Sequence, residues 1–185
     1  PPVKPYQPSG IWNAVAYSGS NTRYYKEDSG DALYRRSLYT FWKRTAPPPN
    51  MVVFDAPSRE NCSVRRDRTN TPLQALTLMN DPQYVEAARN LAQRAFTETK
   101  GSSDLSITAM YRLALGMTPP EKHLEILERS YSKFHESFKE TPSNASDLIA
   151  LGESNPNASA DPITLASLTM VANQIMNLDS FINKY

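Results

Sequence analysis

From residue 71 onward the apolar positions recur at helical spacing. Tyr84, Val85, Ala88, Leu91, Ala92, Ala95 and Phe96 make one stripe, and Leu124, Leu127, Tyr131, Phe134 and Phe138 make a second. Stripes of this width are what a helix needs to bury one face and leave the other wet. Leu105 to Leu115 is a shorter apolar helix that stops at Gly116, a residue suited to the left-handed turn after a helix. The final pattern, from Pro162 to about Lys184, is apolar around much of its circumference through Leu165, Leu168, Val171, Ala172, Ile175, Met176, Leu178 and Ile182. It predicts a central helix roughly 34 Å long at ~1.5 Å per residue. Asn173, Gln174, Asn177 and Asp179 interrupt that surface, and any that are buried need hydrogen-bond partners.

One device opens each of these patterns. Thr71-Pro72, Asp81-Pro82, Thr118-Pro119, Thr141-Pro142 and Asp161-Pro162 place a capping oxygen at N-cap and proline at the first helical position, where its missing N–H costs nothing. Thr71 with Gln74 and Thr118 with Glu121 also meet the capping-box spacing.

Before residue 71 the periodicity fails. Residues 1 to 32 are rich in Pro, Gly, Ser, Asn and Tyr, which predicts extended and irregular chain. Tyr6, Ile11, Trp12, Val15, Tyr17, Tyr24 and Tyr25 are too apolar for a free tail, so this segment is expected to wrap over the body and bury them. Stacking of the same rings on carbohydrate is the alternative. Leu33 to Trp42 is dense in β-favouring types and predicts a short strand, covered on both sides from Leu38 onward. Pro47-Pro48-Pro49 then breaks the pattern, and Met51 to Asp55 fits a helical turn or a second short strand equally. The fold class is therefore mainly α: an irregular helical bundle with an extended aromatic-rich N-terminal segment and one or two short strands. It reads as one domain over 1–185, with 1–70 mostly irregular wrap and 71–185 helical. The loop between 152 and 160 is expected to be exposed.

Composition narrows the function. A formal charge of +1 argues against nucleic-acid binding through bulk electrostatics. Charge is uneven, however: residues 35 to 68 hold eight Lys/Arg against three Asp/Glu, and residues 101 to 185 hold six against ten. The single Cys62 excludes an intrachain disulfide or a Cys-based zinc or haem motif, and the two histidines, His123 and His135, are expected to be exposed. No metal site and no membrane span are predicted. The opening Pro1-Pro2-Val3, without methionine, suggests a piece of something longer.

Candidate chemistry concentrates in residues 55 to 68. Arg35, Arg36, Arg59, Arg65, Arg66 and Arg68 can clamp an anion through guanidinium forks, or satisfy Asp55, Glu60, Asp67 and helix-end carbonyls in a structural network. Mutual neutralisation of these arginines and acids is the preferred reading. Asp55 and Asp67 are the only catalytic candidates, as an acid/base pair of the kind glycoside hydrolysis uses, and nothing in the sequence fixes their separation. Cys62 is expected to be a small buried hydrophobe rather than a thiolate. Three glycosylation sequons, at Asn61, Asn144 and Asn157, are of a kind that arises often by chance.

Several phrases resemble a known family. Arg35-Arg36-Ser37-Leu38-Tyr39, Phe54-Asp55 with Pro57 and Cys62, and Arg66 leading into Thr69-Asn70-Thr71-Pro72-Leu73-Gln74-Ala75-Leu76 are similar to the planctomycete PSD1 family, also called DUF1553. Tyr111-Arg112-Leu113-Ala114-Leu115-Gly116 and Ile175-Met176-Asn177-Leu178-Asp179-Ser180-Phe181 resemble the C-terminal half of the same family. The resemblance implies a C-terminal portion of that domain, in an exported protein of the periplasm or cell surface. It implies upstream DUF1549-like and cytochrome c-like domains as partners, with any haem held there, since this chain has no Cys-x-x-Cys-His and no cofactor of its own is expected. The resulting expectation is a domain of unknown function with a structural or docking role. The alternatives are part of a polysaccharide-acting enzyme, with Asp55, Arg59, Arg66 and Arg68 lining its site, and a carbohydrate-binding module built on the Tyr/Trp-rich segment.

Overall fold

Proline and its preceding polar residue set the helix starts. The computed structural model describes residues 1–157 and 160–183, and the α-helices among these residues are α1 (Ile11–Ala14), α2 (Pro49–Val53), α3 (Pro72–Asn80), α4 (Pro82–Glu98), α5 (Ser103–Leu115), α6 (Glu121–Glu140), α7 (Pro142–Ile149), α8 (Pro162–Met176) and α9 (Asp179–Ile182). Four of the five expected starts fall on the proline. At α4 the Asp81 carboxylate accepts from the Gln83 N–H at 2.9 Å, and at α8 Asp161 accepts from the Thr164 N–H at 2.9 Å. The fifth start slips: α6 begins at Glu121, with Pro120 at its N-cap. Proline disfavours helical geometry in the residue before it, so Pro120 keeps Pro119 out of the helix. Thr118 then accepts from Arg112 Nη2 at 3.3 Å instead of capping.

The chain divides into two compact units, Pro1–Gln74 and Ala75–Tyr185. In the second, α8 is the hub, packing against α4, α5, α6 and α7. Leu165, Leu168, Val171 and Ile175 are at most 1% exposed, and burying each aliphatic chain of this size contributes about 1.5–3 kcal/mol. α4 adds Val85, Ala88, Ala92 and Ala95 to the same core. α5 ends as expected, with Gly116 at φ 73° and its N–H on the Arg112 carbonyl.

α8 is shorter than the apolar pattern predicts. It ends at Met176 after 15 residues, about 22 Å. Asn177 folds its side chain back, donating from Nδ2 to the Asn173 carbonyl at 2.9 Å, the kind of local bond that competes with helix continuation. Leu178 is extended and α9 starts afresh at Asp179; Lys184, where the longer helix was expected to finish, lies outside the described residues. Asn173 itself is buried and donates to the Leu78 carbonyl at 2.7 Å, which answers the requirement set by its position.

The first unit is built on short pieces around Trp12, which is 2% exposed. Tyr25 meets its ring edge-on at a centroid distance of 4.9 Å and Phe41 lies at 5.5 Å. The Lys43 ammonium sits 4.9 Å from the Trp12 ring and donates to the Thr22 carbonyl at 2.8 Å. Val15, Tyr17 and Tyr24 remain exposed, so the N-terminal rings are buried only in part.

The strand expected over Leu33 to Trp42 is reduced to a 3-10 turn at Ser37–Tyr39 and an isolated parallel bridge between Val3 and Thr40. β-favouring side chains need a neighbouring ladder, and Val3 is the only bridge partner this segment has among the described residues. Leu38 is 74% exposed where cover on both sides was expected. Met51 resolves as helix, within α2.

Candidate functional site

The helical turn of α2 leaves the chain at Phe54 and throws Asp55 into the left-handed region, φ 57°. Asp tolerates that conformation better than most residues because its short side chain can bond locally. Here the Asp55 Oδ2 accepts from the Thr69 N–H at 3.1 Å and from the Thr69 hydroxyl at 2.6 Å. Gln74, 1% exposed, closes the knot. Its amide nitrogen donates to the Val53 carbonyl at 2.9 Å and to Thr69 Oγ1 at 2.8 Å, with a longer approach of 3.4 Å to Asp55 Oδ2. Its amide oxygen accepts from the Thr71 N–H at 2.9 Å while Thr71 Oγ1 accepts from the Gln74 N–H at 3.3 Å. That is the expected capping box, with the Gln side chain also reaching across to α2.

Arg66 fastens the opposite side of the loop. Its Nε donates to the Asp55 carbonyl at 2.9 Å, and Nη2 donates to the Phe54 carbonyl. Arginine and acid therefore stand on the same residue without meeting, because the backbone carbonyls freed where α2 ends are nearer to the guanidinium than the carboxylate, which Thr69 already holds.

The other candidates scatter. Arg35 donates to the Pro1 carbonyl at 2.9 Å and lies 4.0 Å from the Tyr39 ring centroid. Arg59, itself at φ 63°, lies 4.8 Å from the Trp42 ring. Arg36, Arg65, Asp67 and Arg68 are exposed. The one ion pair of this region is between Arg44 and Glu60, bidentate through Nε at 2.6 Å and through Nη2. The Arg44 guanidinium holds the Glu60 carboxyl below its usual range, and as an exposed pair it adds little to stability. Mutual neutralisation thus describes Arg44 and Glu60 alone, while Arg35, Arg59 and Arg66 meet rings and carbonyls.

Cys62 is exposed, contrary to the expectation of a buried thiol, as is every residue from Asn61 to Arg68. His123 is exposed and its Nδ1 stands 3.0 Å from the Tyr111 hydroxyl. His135 is half-buried rather than exposed, stacked on Tyr131 at 5.5 Å. Among the described residues no group of three or more His, Cys, Asp and Glu could hold a metal ion, and no helix is long and apolar enough to cross a membrane.

The description PSD1, protein of unknown function (DUF1553), matches residues 1–131 of the chain. The chain belongs to the PSD1 family. No curated protein and no solved structure matches it. The matched range of this PSD1 chain takes in the Asp55 knot, α3, α4 and α5. The closing phrase Ile175 to Phe181, which straddles the break between α8 and α9, lies beyond it.

A second polar cluster in the PSD1 chain has no counterpart in the sequence reading. Arg89 of α4 is 0% exposed and Glu86 6%. Arg89 donates from Nη1 to the carbonyls of Ile149 and Leu151, and from Nη2 to the Ser154 carbonyl at 2.5 Å and the Ser154 hydroxyl at 2.6 Å. Glu86 Oε1 accepts from the Ser154 N–H at 2.7 Å and stands 3.5 Å from Arg89 Nη2. Together they pin the chain after α7 through Ser154, while Gly152, Glu153, Asn155 and Pro156 are exposed as expected of this loop. Gly152 makes this fit: a Cβ there would meet a Glu86 carbon at 2.4 Å, and its φ is 90°. The signal was present in the spacing. Arg89 falls four residues after Val85 and three before Ala92, inside the apolar stripe.

Proposed function

We propose that this PSD1 chain is a structural and docking portion of an exported, multi-domain bacterial protein, seated against the upstream part of the same polypeptide. One observation carries the reading. Leu38 and Tyr39 are 74% and 42% exposed, although the pattern from Leu38 onward is that of a segment covered on both sides, and Tyr34 before them is 55% exposed. Contiguous exposed apolar side chains mark interaction sites. Arg35, in the middle of this segment, holds the Pro1 carbonyl and lies against the Tyr39 ring.

The resemblance supplies the occupant: DUF1549-like and cytochrome c-like domains, with haem held by the latter, in a periplasmic or surface protein. Catalysis on polysaccharide by Asp55 and Asp67 has less support, because Asp55 Oδ2 already takes the Thr69 donors that close its own loop. The test is a titration of the separately produced upstream portion against this chain. Leu38→Asp is expected to weaken binding by about tenfold or more, the loss of a well-buried anchor, with an unchanged melting temperature. Absence of binding, or equal affinity for the variant, overturns the reading.

A further inference from the structure

The loop from Arg59 to Arg68, within the first unit, carries four arginines and two acids. Glu60 is taken by Arg44, so four guanidinium groups face one remaining carboxylate, that of Asp67. Every residue from Arg59 to Arg68 is exposed. Among the described residues Arg65, Asp67 and Arg68 make no hydrogen bond or ion pair through their side chains.

The loop is nevertheless held at both ends. Arg44 grips Glu60, and Arg66 donates to the Asp55 and Phe54 carbonyls. Arg59 lies 4.8 Å from the Trp42 ring centroid, a contact that seats the guanidinium on the ring and leaves its N–H donors free. Arg65 and Arg68 are three residues apart, so their Cα atoms lie within about 11 Å even in fully extended chain. Three open guanidinium forks therefore stand on one tethered loop.

The make-up of the loop chooses among anions. Every cation from Arg44 to Arg68 is an arginine. Solvation is served as well by lysine, whereas a planar fork binds carboxylate or sulfate through two parallel N–H bonds. A protein partner would need a dry apolar centre, and Cys62 and Val64 are the only apolar side chains in the loop. A nucleic acid would need a helix or ribbon for its groove, or a free ring for its bases. Residues 56–70 hold no helix or strand, and Arg59 already lies against the Trp42 ring. An acidic polysaccharide needs none of these, since it stays hydrated and repeats its carboxylates or sulfates along the chain.

We propose that Arg59, Arg65 and Arg68 bind an acidic polysaccharide, with Arg66 and the Arg44 pair to Glu60 holding the loop that presents them. The surface goes beyond the docking role and does not rest on it.

The test is a calorimetric titration of the intact, reduced chain with polygalacturonate, heparin, dextran, poly-glutamate and duplex DNA. Saturable binding to polygalacturonate, heparin or both is expected, the two separating carboxylate from sulfate, with none to dextran. Affinity should fall as salt rises. Arg65→Gln combined with Arg68→Gln is expected to weaken binding about tenfold at an unchanged melting temperature, because neither side chain bonds within the fold. Arg65→Lys combined with Arg68→Lys keeps the charge but loses the fork, and should weaken binding about threefold. Arg129→Gln, which removes an exposed arginine of α6, should leave affinity unchanged. No binding to either acidic polysaccharide, equal or tighter binding to poly-glutamate or DNA, or full affinity in the lysine variant overturns the proposal.

Discussion

Among the described residues Arg89 is the largest side chain to be removed wholly from water, and its guanidinium serves carbonyls at and after the end of α7. Truncation leaves those carbonyls without their donor and the Glu86 carboxylate without its opposite charge. Arg89→Ala is therefore expected to cost about 3–5 kcal/mol, lowering the melting temperature by about 10 °C for a chain of this length. A thermal melt within a degree or two of the parent would show that water replaces the guanidinium. Asp55 offers a subtler comparison. Asp55→Ala loses the acceptor for Thr69 and places a residue with no local bonding option at φ 57°, so a drop of several degrees is expected. Asp55→Asn keeps an oxygen and tolerates the left-handed geometry, and should melt close to the parent. Equal losses in both variants would mean that the charge itself matters. At this scale the sequence was half legible: it paired Thr71 with Gln74 and offered helix-end carbonyls to the arginines, as Arg66 is found, but the neutralisation it preferred between Arg66 and Asp55 does not form. Composition records which charges are near in sequence, whereas partners are decided by where a helix end leaves its carbonyls.

The helix starts were legible because capping is local. A polar residue before proline specifies its own few bonds whatever the rest of the chain does, and α3, α4 and α8 begin with those bonds made, while α7 starts on Pro142 without a side-chain cap from Thr141. Where the expectation slipped, at α6 and at the end of α8, a second local preference overrode the first: Pro120 on Pro119, and Asn177 on the helix it closes. Cap energetics also give a pH signature at α4. Burial raises the Asp81 carboxyl above its ordinary value of 3.8, against a smaller lowering by the Gln83 N–H. A folded value above the unfolded one favours the native state fully below 3.8 and loses that contribution as pH climbs through the folded value. Asp81→Asn keeps the capping oxygen and should gain stability over the parent across that rise, while Asp81→Ala forfeits the cap, about 1 kcal/mol. Melting curves between acid and neutral pH separate the two; a parent-to-Asn difference that does not change with pH would refute the assignment.

Across the whole chain the two compact units differ in kind. The second has five helices of eight residues or more gathered on α8, and the first has helices of four and five residues joined by turns. Native-state hydrogen exchange should reflect that difference, with amides of α4, α5 and α8 among the slowest and those of residues 1–54 exchanging well before them. Uniform protection across residues 1–176 would contradict it. The helical body was visible in the sequence because a period of 3.6 repeats over many residues. The first unit was not, since aromatic packing around Trp12 and single bridges such as Val3 with Thr40 leave no repeating pattern to read.

The unshielded position of Cys62 has a practical outcome. A sulfhydryl that stands in water on a loop with no second cysteine in the chain can form a disulfide only with another molecule. Aerated stocks should accumulate a covalent dimer that runs at twice the 20.8 kDa mass on a non-reducing gel and vanishes with dithiothreitol or in Cys62→Ser. The same group gives a maleimide dye a single point of attachment that leaves the hydrophobic interior untouched.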